Sequence, residues 1–176
     1  MRVVAGELKG RRLRAPGGGR TRPTGDKVRE ALFSIIGDVS GARVLDLFAG
    51  SGALGIEALS RGAGEAVFVD KGGPAVAAIK RNLSDLGLEA EVHRREARRF
   101  LKAAAGEPPF DVVFCDPPYD SATATAGTLV ELLPPLLTES ALIVTESDKR
   151  APLLLPFPLL RERTYGDTRL AVHRGS

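Results

Sequence analysis

The stretch VLDLFAGSGALG, residues 44–55, decides the fold of this chain of 176 residues. It begins as a mostly apolar strand, and Gly50, Gly52 and Gly55 then follow with the spacing G-x-G-x-x-G where a helix starts. Glycines let the backbone approach a ligand closely, and the first turn of a helix presents free N–H groups. Asp70 ends the next predicted strand, where a carboxylate is suited to accept hydrogen bonds from ribose hydroxyls. The stretch therefore predicts a site for a nucleotide-like ligand.

The rest of the chain alternates apolar strands with amphipathic helices. We expect strands at 43–47, 65–70, 90–94, 110–116 and 141–147, and helices at 53–61, 74–86, 96–104 and 122–133. Strands about 20–30 residues apart with a helix between them are typical of right-handed βαβ units. Residues 159–173 alternate like a terminal antiparallel pair. The predicted fold class is α/β, a Rossmann-like, mostly parallel twisted sheet with an antiparallel C-terminal strand pair and its ligand site at the carboxyl ends of the strands.

The first forty residues form a basic extension of this sheet. Residues 2–6 and 11–15 predict a small β-hairpin, and residues 26–36 predict a helix. Residues 1–30 contain nine Lys or Arg against three Asp or Glu, whereas the whole chain has a net charge of +3. This excess predicts a polyanionic partner, with a solvated surface in an arginine-rich protein as the alternative. We divide the chain into a hairpin-and-helix extension, 1–40, and a main domain, 41–176.

Composition excludes several classes of protein. The single cysteine, Cys115, rules out an internal disulfide and a zinc site built on several thiolates, and it points to a reducing cytoplasm. Cys115 is itself expected in the buried core. His93 and His173 lack the spacing of metal ligands, so no metal is expected. There is no apolar run of membrane-spanning length and no signal-peptide pattern, so no membrane partner is expected, and nothing requires more than a monomer.

The charge of the glycine-rich stretch favours one ligand. Dinucleotide binders place a pyrophosphate on such a loop, and the carboxylate of Asp46 beside it would repel phosphate. S-adenosylmethionine has no phosphate, and Asp46 attracts its ammonium and sulfonium groups directly or through water. The sequence therefore predicts S-adenosylmethionine as the cofactor.

A second motif follows the strand at 110–116. Asp116, Pro117, Pro118 and Tyr119 stand at its end as Asp-Pro-Pro-Tyr. The exocyclic amine of a nucleobase is a poor nucleophile because its lone pair is delocalised into the ring. The Asp116 carboxylate and the Pro117 carbonyl can accept its hydrogens and favour a pyramidal nitrogen, and Tyr119 can stack on an extruded base. The motif predicts direct methyl transfer to such an amine, with no metal and no prior deprotonation.

These motifs together resemble the amino-group methyltransferases. The N-terminal sequences RVVAGELKGRRL and TRPTGDKVREALF, together with YGDT at 165–168, resemble more narrowly the bacterial small-subunit rRNA guanine-N2 methyltransferases of the RsmD family. The resemblance covers essentially the whole chain. It implies methyl transfer from S-adenosylmethionine to the N2 of one guanine in 16S rRNA, with assembled or nearly assembled small subunits as the substrate.

The resemblance also implies roles for individual residues. Asp46, Gly50 and Gly52 line the methionine end of the cofactor, Asp70 the ribose, and Glu96 and Ala97 the adenine. Phe48, Lys71 and Asp116 belong to the same site, and Thr24 closes over it. Related enzymes often have Asp where this chain has Glu96, so a longer side chain must repack there. The arginines expected to contact RNA are Arg11, Arg12, Arg14, Arg22 and Arg29.

Other functions stay open at this point. A DNA adenine-N6 methyltransferase also suits Asp-Pro-Pro-Tyr, although 176 residues leave little room for a target-recognition segment. A protein-glutamine methyltransferase is weakened because such sites usually carry Asn where Asp116 stands. A non-catalytic RNA-binding assembly factor and an NAD-dependent oxidoreductase are further alternatives. The basic cluster at residues 94–99 is either a second RNA contact or a solvated helix face.

Overall fold

The computed structural model describes residues 1–17, 25–118 and 121–175. The helices are α1 (Asp26–Ile36), α2 (Ala53–Ser60), α3 (Gly73–Leu86), α4 (Ala97–Ala103) and α5 (Ala122–Leu132). The strands are β1 (Arg43–Leu47), β2 (Glu65–Asp70), β3 (Glu91–Arg94), β4 (Phe110–Cys115), β5 (Leu137–Asp148), β6 (Leu159–Tyr165) and β7 (Thr168–Arg174). A short 3₁₀ helix, Pro134–Leu136, leads into β5.

All seven strands form one sheet in the order β3-β2-β1-β4-β5-β7-β6. The first five strands pair in parallel, and β7 pairs antiparallel with both β5 and β6. The predicted α/β class, with a parallel sheet and an antiparallel C-terminal pair, is confirmed. The chain reverses its direction of winding between β1 and β4, and the carboxyl ends of these two strands therefore flank the crevice where ligands bind in such sheets.

Helices cover both faces of the sheet and make two cores. The first face packs against α1, α2, α3 and the N-terminal segment, and Phe33 of α1 lies 5.7 Å from Phe114 of β4 between ring centroids. The second face packs against α4 and α5, with Leu101 and Leu129 fully buried. Burial of apolar side chains on both faces explains why the strands are nearly continuous apolar runs.

The largest difference from the predicted elements is in β5. We expected residues 141–147, whereas the strand runs from Leu137 to Asp148. Its start pairs with Phe110 of β4, and its end pairs with Thr168 of β7. Local sequence does not reveal this length because both extensions depend on a partner strand. The other predicted boundaries differ by one residue or agree.

The predicted N-terminal hairpin is an antiparallel pairing of only one bridge, Arg2 with Arg12. Its backbone hydrogen bonds include Val3 N–H to the Arg11 carbonyl at 2.9 Å and Leu13 N–H to the Met1 carbonyl at 3.0 Å. Val3 and Leu13 are buried in the core of the first face, so the extension packs directly on the sheet domain. Within the described part of the chain, every helix is too short or too polar to cross a membrane.

Candidate active site

Four acidic residues lie in a row where adjacent strands end. Phe68, Phe114 and Val144 belong to the core of the first face, and so does Val44. Since side chains on a strand alternate between faces, the residues two positions further on lie on that same face. These residues are Asp70, Asp46, Asp116 and Glu146, on or directly after β2, β1, β4 and β5. The carboxyl edge of the sheet is therefore strongly acidic on the side that faces α1 and α2.

Asp46 is almost completely buried, with 2% of its surface exposed. Its Oδ2 accepts the backbone N–H of Gly55 in the first turn of α2 at 2.9 Å. Burial raises the pKa of Asp46 to about 8, with a smaller contribution from the charge of Asp70, while the hydrogen bond from Gly55 lowers it. A cation beside this carboxyl would lower its pKa and stabilise the charged form, and the predicted role of Asp46 requires this property.

Asp70 is held by two backbone N–H groups. Its Oδ2 accepts from Gly50 at 2.9 Å, and its Oδ1 accepts from Gly72 at 2.7 Å. A carboxylate oxygen has two lone pairs, so each oxygen can still accept one further hydrogen bond. Gly50 has φ +57°, and among the described residues a Cβ there would meet only the Phe48 carbonyl within 4 Å. The loop thus offers open backbone beside two oriented acceptors, which suits the pair of hydroxyls on a ribose.

A cavity of about 200 Å³ lies next to this loop. It contains six of the predicted site residues: Phe48, Asp70, Lys71, Glu96, Ala97 and Pro118. The remaining wall consists of Val69, Arg95, Arg98, Ser121, Ala124, Thr125, Thr128 and Leu129. This cavity fits a nucleoside. The base can pack against the apolar walls, and the carboxylates of Asp70 and Glu96 can accept hydrogen bonds from the hydroxyl and amino groups.

Sequence reasoning missed the contribution of α5 to this cavity. Small side chains at 121, 124, 125 and 128 recur at the spacing of one helix face. This periodicity could have predicted that one face of α5 lines a cavity. Five further predicted site residues do not line the cavity. Asp46 lies on β1, Gly50 and Gly52 follow β1, and Asp116 and Pro117 follow β4.

Phe48 has a left-handed backbone, with φ 60°, although it is not a glycine. This conformation is unfavourable for a bulky residue, and it persists only where surrounding contacts fix it. Here the next residue, Ala49, donates its N–H to the Val69 carbonyl at 3.1 Å and accepts from Gly52 N–H at 2.7 Å. The turn places the Phe48 side chain in the cavity wall.

Asp116 follows β4 directly. Burial raises the pKa of its carboxyl well above the usual range, and the nearby charges of Glu146 and Asp46 raise it further. Pro117 is buried and Pro118 is exposed. The Pro118 carbonyl accepts the hydroxyl of Ser121 at 2.7 Å, so it is already engaged in starting α5. Tyr119, the last residue of the motif, lies outside the described residues.

Cys115 is buried on β4, as expected for a core residue. Burial raises the pKa of its thiol, and the charges of Asp116 and Asp46 add to the effect. A thiol in this state is not a nucleophile.

Three of the five arginines assigned to RNA are exposed in the N-terminal segment: Arg11, Arg12 and Arg14. Arg11 Nη2 donates to the Asp85 carbonyl at 2.8 Å, and Arg14 Nε lies 3.0 Å from Asp85 Oδ2. Both are therefore anchored to the end of α3, while their side chains stay at the surface. Arg22 lies outside the described residues, as does Thr24, which was assigned to the cofactor.

The prediction that Arg29 contacts RNA is wrong, because its side chain is fully buried. Its Nη2 donates to Asp26 Oδ1 at 2.9 Å and to the Arg2 carbonyl, and its Nε lies 3.7 Å from Glu57 Oε2. A count of charges along the sequence does not show which face of α1 is turned inward. Arg29 fastens the N-terminal segment to the sheet domain instead.

Glu57 is the counterpart of Arg29, and no local pattern in the sequence points to its role. It is fully buried on α2 and accepts the backbone N–H groups of Val4 at 2.7 Å and Ala5 at 2.9 Å. Arg61 adds a third hydrogen bond at 2.8 Å. The helix that begins at the glycine loop therefore also carries the basic N-terminal segment.

The two histidines pair with oxygen atoms of the protein. His93 Nε2 lies 2.9 Å from Glu91 Oε2, and His173 Nδ1 lies 3.1 Å from the Phe157 carbonyl. Among residues 1–17, 25–118 and 121–175, no three His, Cys, Asp or Glu side chains are grouped so that they could hold a metal ion.

The family described as "Conserved hypothetical protein 95" matches residues 1–174. The chain belongs to this family, the one that contains RsmD. A relative in Bacillus subtilis, named "Putative rRNA methyltransferase YlbH", is 44% identical over 99% of this chain and 98% of its own length. The ribosomal RNA small subunit methyltransferase D of Haemophilus influenzae is 38% identical over 94% of this chain and 89% of its own length.

A solved structure shares the fold of this chain over almost its whole length. A hypothetical protein from Thermus thermophilus superposes with a TM-score of 0.84 at 34% identity, covering 99% of both chains. The glycine loop, the end of β4 and the N-terminal segment all lie within the part of the chain that matches the RsmD family. The resemblance noted from the sequence is thereby confirmed at the level of the family.

Proposed function

We propose that this protein transfers a methyl group from S-adenosylmethionine to the exocyclic N2 of one guanine in 16S rRNA of the small ribosomal subunit. The observation that carries the proposal is the position of Asp116 and Pro117. They follow β4 at the point where the sheet reverses its winding, beside the cavity lined by Phe48 and Asp70. An acceptor pair for an amine thus lies next to a site for a nucleoside cofactor.

The residues present fit S-adenosylmethionine. Asp70 has an open lone pair on each oxygen for the ribose hydroxyls. Glu96 lies in the cavity wall beside Ala97, where a carboxylate can accept from the adenine amino group. Burial raises the pKa of Asp46 to about 8, and the ammonium and sulfonium groups would lower it and so favour the charged carboxylate beside them. Phe48 provides an apolar wall.

Asp116 does most of the chemistry that the protein itself supplies. Bound S-adenosylmethionine provides an electrophilic methyl group, so the remaining need is a nucleophilic nitrogen. The Asp116 carboxylate and the Pro117 carbonyl accept the two hydrogens of the guanine amine, which favours a pyramidal nitrogen with its lone pair toward the methyl group. After transfer the nitrogen releases one proton, and Asp116 takes it, since burial and its acidic neighbours raise the pKa of this carboxyl.

The N-terminal segment supplies the RNA-binding surface. Arg11, Arg12 and Arg14 are exposed and lie on the segment that Glu57 fixes to α2. Their charge suits the phosphates of rRNA in assembled or nearly assembled small subunits. The protein acts in the cytoplasm, as a monomer and without a metal.

The direct experiment supplies the protein, methyl-labelled S-adenosylmethionine and either unmethylated small subunits or free 16S rRNA. The RNA is then digested and its nucleosides are separated by mass spectrometry. Label in N2-methylguanosine on subunits is the expected result. Label in N6-methyladenosine would mean that the same mechanism acts on adenine. If only added DNA were labelled, the result would support the DNA-methylating alternative. Cofactor binding with no label in any nucleic acid would favour a non-catalytic assembly factor.

A further inference from the structure

Three basic residues lie together at the carboxyl ends of β2 and β3. Lys71 follows β2, Arg94 ends β3 and Arg95 follows it. Arg94 pairs with Asp70 across the two parallel strands, and the Arg95 N–H donates to the Asp70 carbonyl at 3.0 Å. All three basic residues are exposed, and we call them the edge cluster.

Within residues 1–17, 25–118 and 121–175, the side chains of the edge cluster form no ion pair and no hydrogen bond. The two neighbouring carboxylates are engaged elsewhere. Asp70 accepts the N–H groups of Gly50 and Gly72. Glu96 Oε2 lies 3.6 Å from Arg99 Nε. Three gathered charges of one sign repel each other, and an anion beside them removes this repulsion.

The cofactor does not supply this anion. Lys71 and Arg95 line the cavity at the end that fits the adenosine half of S-adenosylmethionine, and this half is uncharged. The carboxylate of the cofactor is at its methionine end. Arg94 lies outside the cavity wall and across the start of α3, where its Cζ is 3.4 Å from the position of a Cβ on Gly73. The anion that suits the edge cluster therefore belongs to another ligand.

We infer that the edge cluster binds backbone phosphates of the rRNA substrate and forms a second RNA contact beside the cofactor cavity. This role rests on the proposed function. RNA presents a phosphate at every nucleotide, and Lys and Arg contact these groups without reading the base sequence. The edge cluster would thus position the RNA while Asp116 and Pro117 act on the target base.

The order of the strands supports this role. β2 and β3 lie two and three places from β4, so the edge cluster is about 10–15 Å from Asp116 at the usual spacing of strands. An RNA strand whose target base is at Asp116 can therefore reach the edge cluster with neighbouring nucleotides. Arg11 and Arg14 bind Asp85 near the end of α3, whereas the edge cluster is at the start of this helix, about 20 Å away. The two basic surfaces are therefore separate.

The test compares two double variants that remove the same charge. Arg94→Gln/Arg95→Gln changes the edge cluster. Arg98→Gln/Arg99→Gln is the matched control, since these nearby arginines have carboxylate partners, Glu131 at 2.9 Å and Glu96 at 3.6 Å. The Kd for unmethylated small subunits is measured with saturating S-adenosylhomocysteine, at constant magnesium and at about 50 to 200 mM salt.

Two phosphate contacts on single-stranded RNA contribute about 1.4 to the slope of log Kd against log salt concentration. Over a fourfold rise in salt, the native protein should therefore lose about sevenfold more affinity than Arg94→Gln/Arg95→Gln, and the control should behave like the native protein. An equal loss of slope in both double variants would show a general effect of net charge. An unchanged slope in Arg94→Gln/Arg95→Gln would show a solvated surface. Either result would overturn the inference.

Ethylation of phosphates gives an independent readout. Small subunits are lightly ethylated, and the phosphates at which ethylation blocks binding are mapped for each protein. We expect one or two of these phosphates to lose their effect in Arg94→Gln/Arg95→Gln and to keep it in Arg98→Gln/Arg99→Gln. The same set of blocking phosphates in all three proteins would contradict the inference.

If the double variant does not fold, Arg94→Gln alone decides. Arg94 is exposed and lies outside the cavity wall, and its replacement should lower the slope by about 0.7. Failure of the native protein to bind or methylate rRNA in small subunits is a different result, which would remove the proposed function and this inference with it.

Discussion

Asn82 on α3 donates its side-chain amide to the backbone carbonyl of Ser51 in the glycine loop, at 2.9 Å. The same side chain accepts the N–H of Arg14 at 2.8 Å and donates to the Arg14 carbonyl at 3.0 Å. Asn82 is 1% exposed and is the only asparagine in the chain. One buried amide therefore joins the basic N-terminal segment to the loop that would hold the cofactor.

Replacing Asn82 by Ala should destabilise the protein by about 1–3 kcal/mol, because it removes a buried hydrogen bond to Ser51 and two partly buried ones to the backbone of Arg14. We also expect weaker binding of S-adenosylmethionine, since the Ser51 carbonyl loses its anchor. Urea unfolding and calorimetric titration measure the two effects. Ser84→Ala, at an exposed position on the same helix, should change neither. Unchanged cofactor affinity in Asn82→Ala would show that the loop holds its shape without this bond.

Replacing Glu57 by Gln should cost about 3–5 kcal/mol of folding free energy. The change removes the charge that faces Arg29 and Arg61 and leaves the guanidinium of Arg29 buried without it. The matched comparison is Glu65→Gln, which breaks a partly exposed pair with Arg43 and should cost less than about 1 kcal/mol. Equilibrium urea unfolding measures both. If both variants lost the same free energy of unfolding, burial of the Glu57 ion pair would not add to its contribution to stability.

Replacing Asp46 by Asn should flatten the pH dependence of stability. The pKa of Asp46 is about 8 in the folded protein and 3.8 in the reference state, so between these values the folded protein binds the extra proton. The free energy of unfolding therefore falls as pH rises through this window, by at most about 1.4 kcal/mol per pH unit from this group. Asn stays neutral and can still accept from Gly55. Thermal unfolding from pH 5 to 9 measures the difference, and parallel profiles would contradict the buried, protonated Asp46.

Replacing Asp116 by Ala should reduce kcat at least about 10²–10³-fold, because the amine loses an acceptor that strengthens as charge develops on it. Binding of S-adenosylmethionine should persist, since Asp70, Glu96 and the cavity wall are untouched. Single-turnover transfer and calorimetric titration separate these two effects. The control Asp38→Asn changes an exposed loop carboxylate that bonds Ser40. Methylation by Asp116→Ala at the native rate would remove Asp116 from the mechanism.

Replacing Arg11, Arg12 and Arg14 together by Gln should weaken RNA binding and lower the slope of log Kd against log salt concentration. Three phosphate contacts on single-stranded RNA contribute about 2 to that slope. Of the single changes, Arg12→Gln should have the largest effect, since Arg11 and Arg14 also bind Asp85. The control neutralises Arg161, Arg163 and Arg174, which are exposed on β6 and β7. An equal loss of slope in both triple variants would mean that RNA contacts the two surfaces alike.

The helix and strands around the glycine loop could be predicted from the local sequence alone. The helix predicted at 26–36 and the strands predicted at 43–47 and 65–70 agree with α1, β1 and β2 to the residue. The helix α1 ends at Gly37, and β1 ends where the glycine loop begins, so the sequence marks both boundaries. Asp70 and Asp116 also followed, since a residue that ends a parallel strand must lie at the carboxyl edge.

Partners distant in sequence decided the rest. Arg29 counts as a surface charge in the sequence, and only the packing of α1 against Glu57, a residue of α2, turns it into a buried anchor. Glu146 stands beside Asp116 only because β5 pairs with β4 and not with β6. The sequence by itself determined the apolar periodicity of the helices and strands, the glycine spacing and the chemistry of each side chain. These properties depend only on residues that are neighbours along the chain. The tertiary structure decided which charges are buried and which carboxylates meet, because burial and strand order arise only when distant segments pack together.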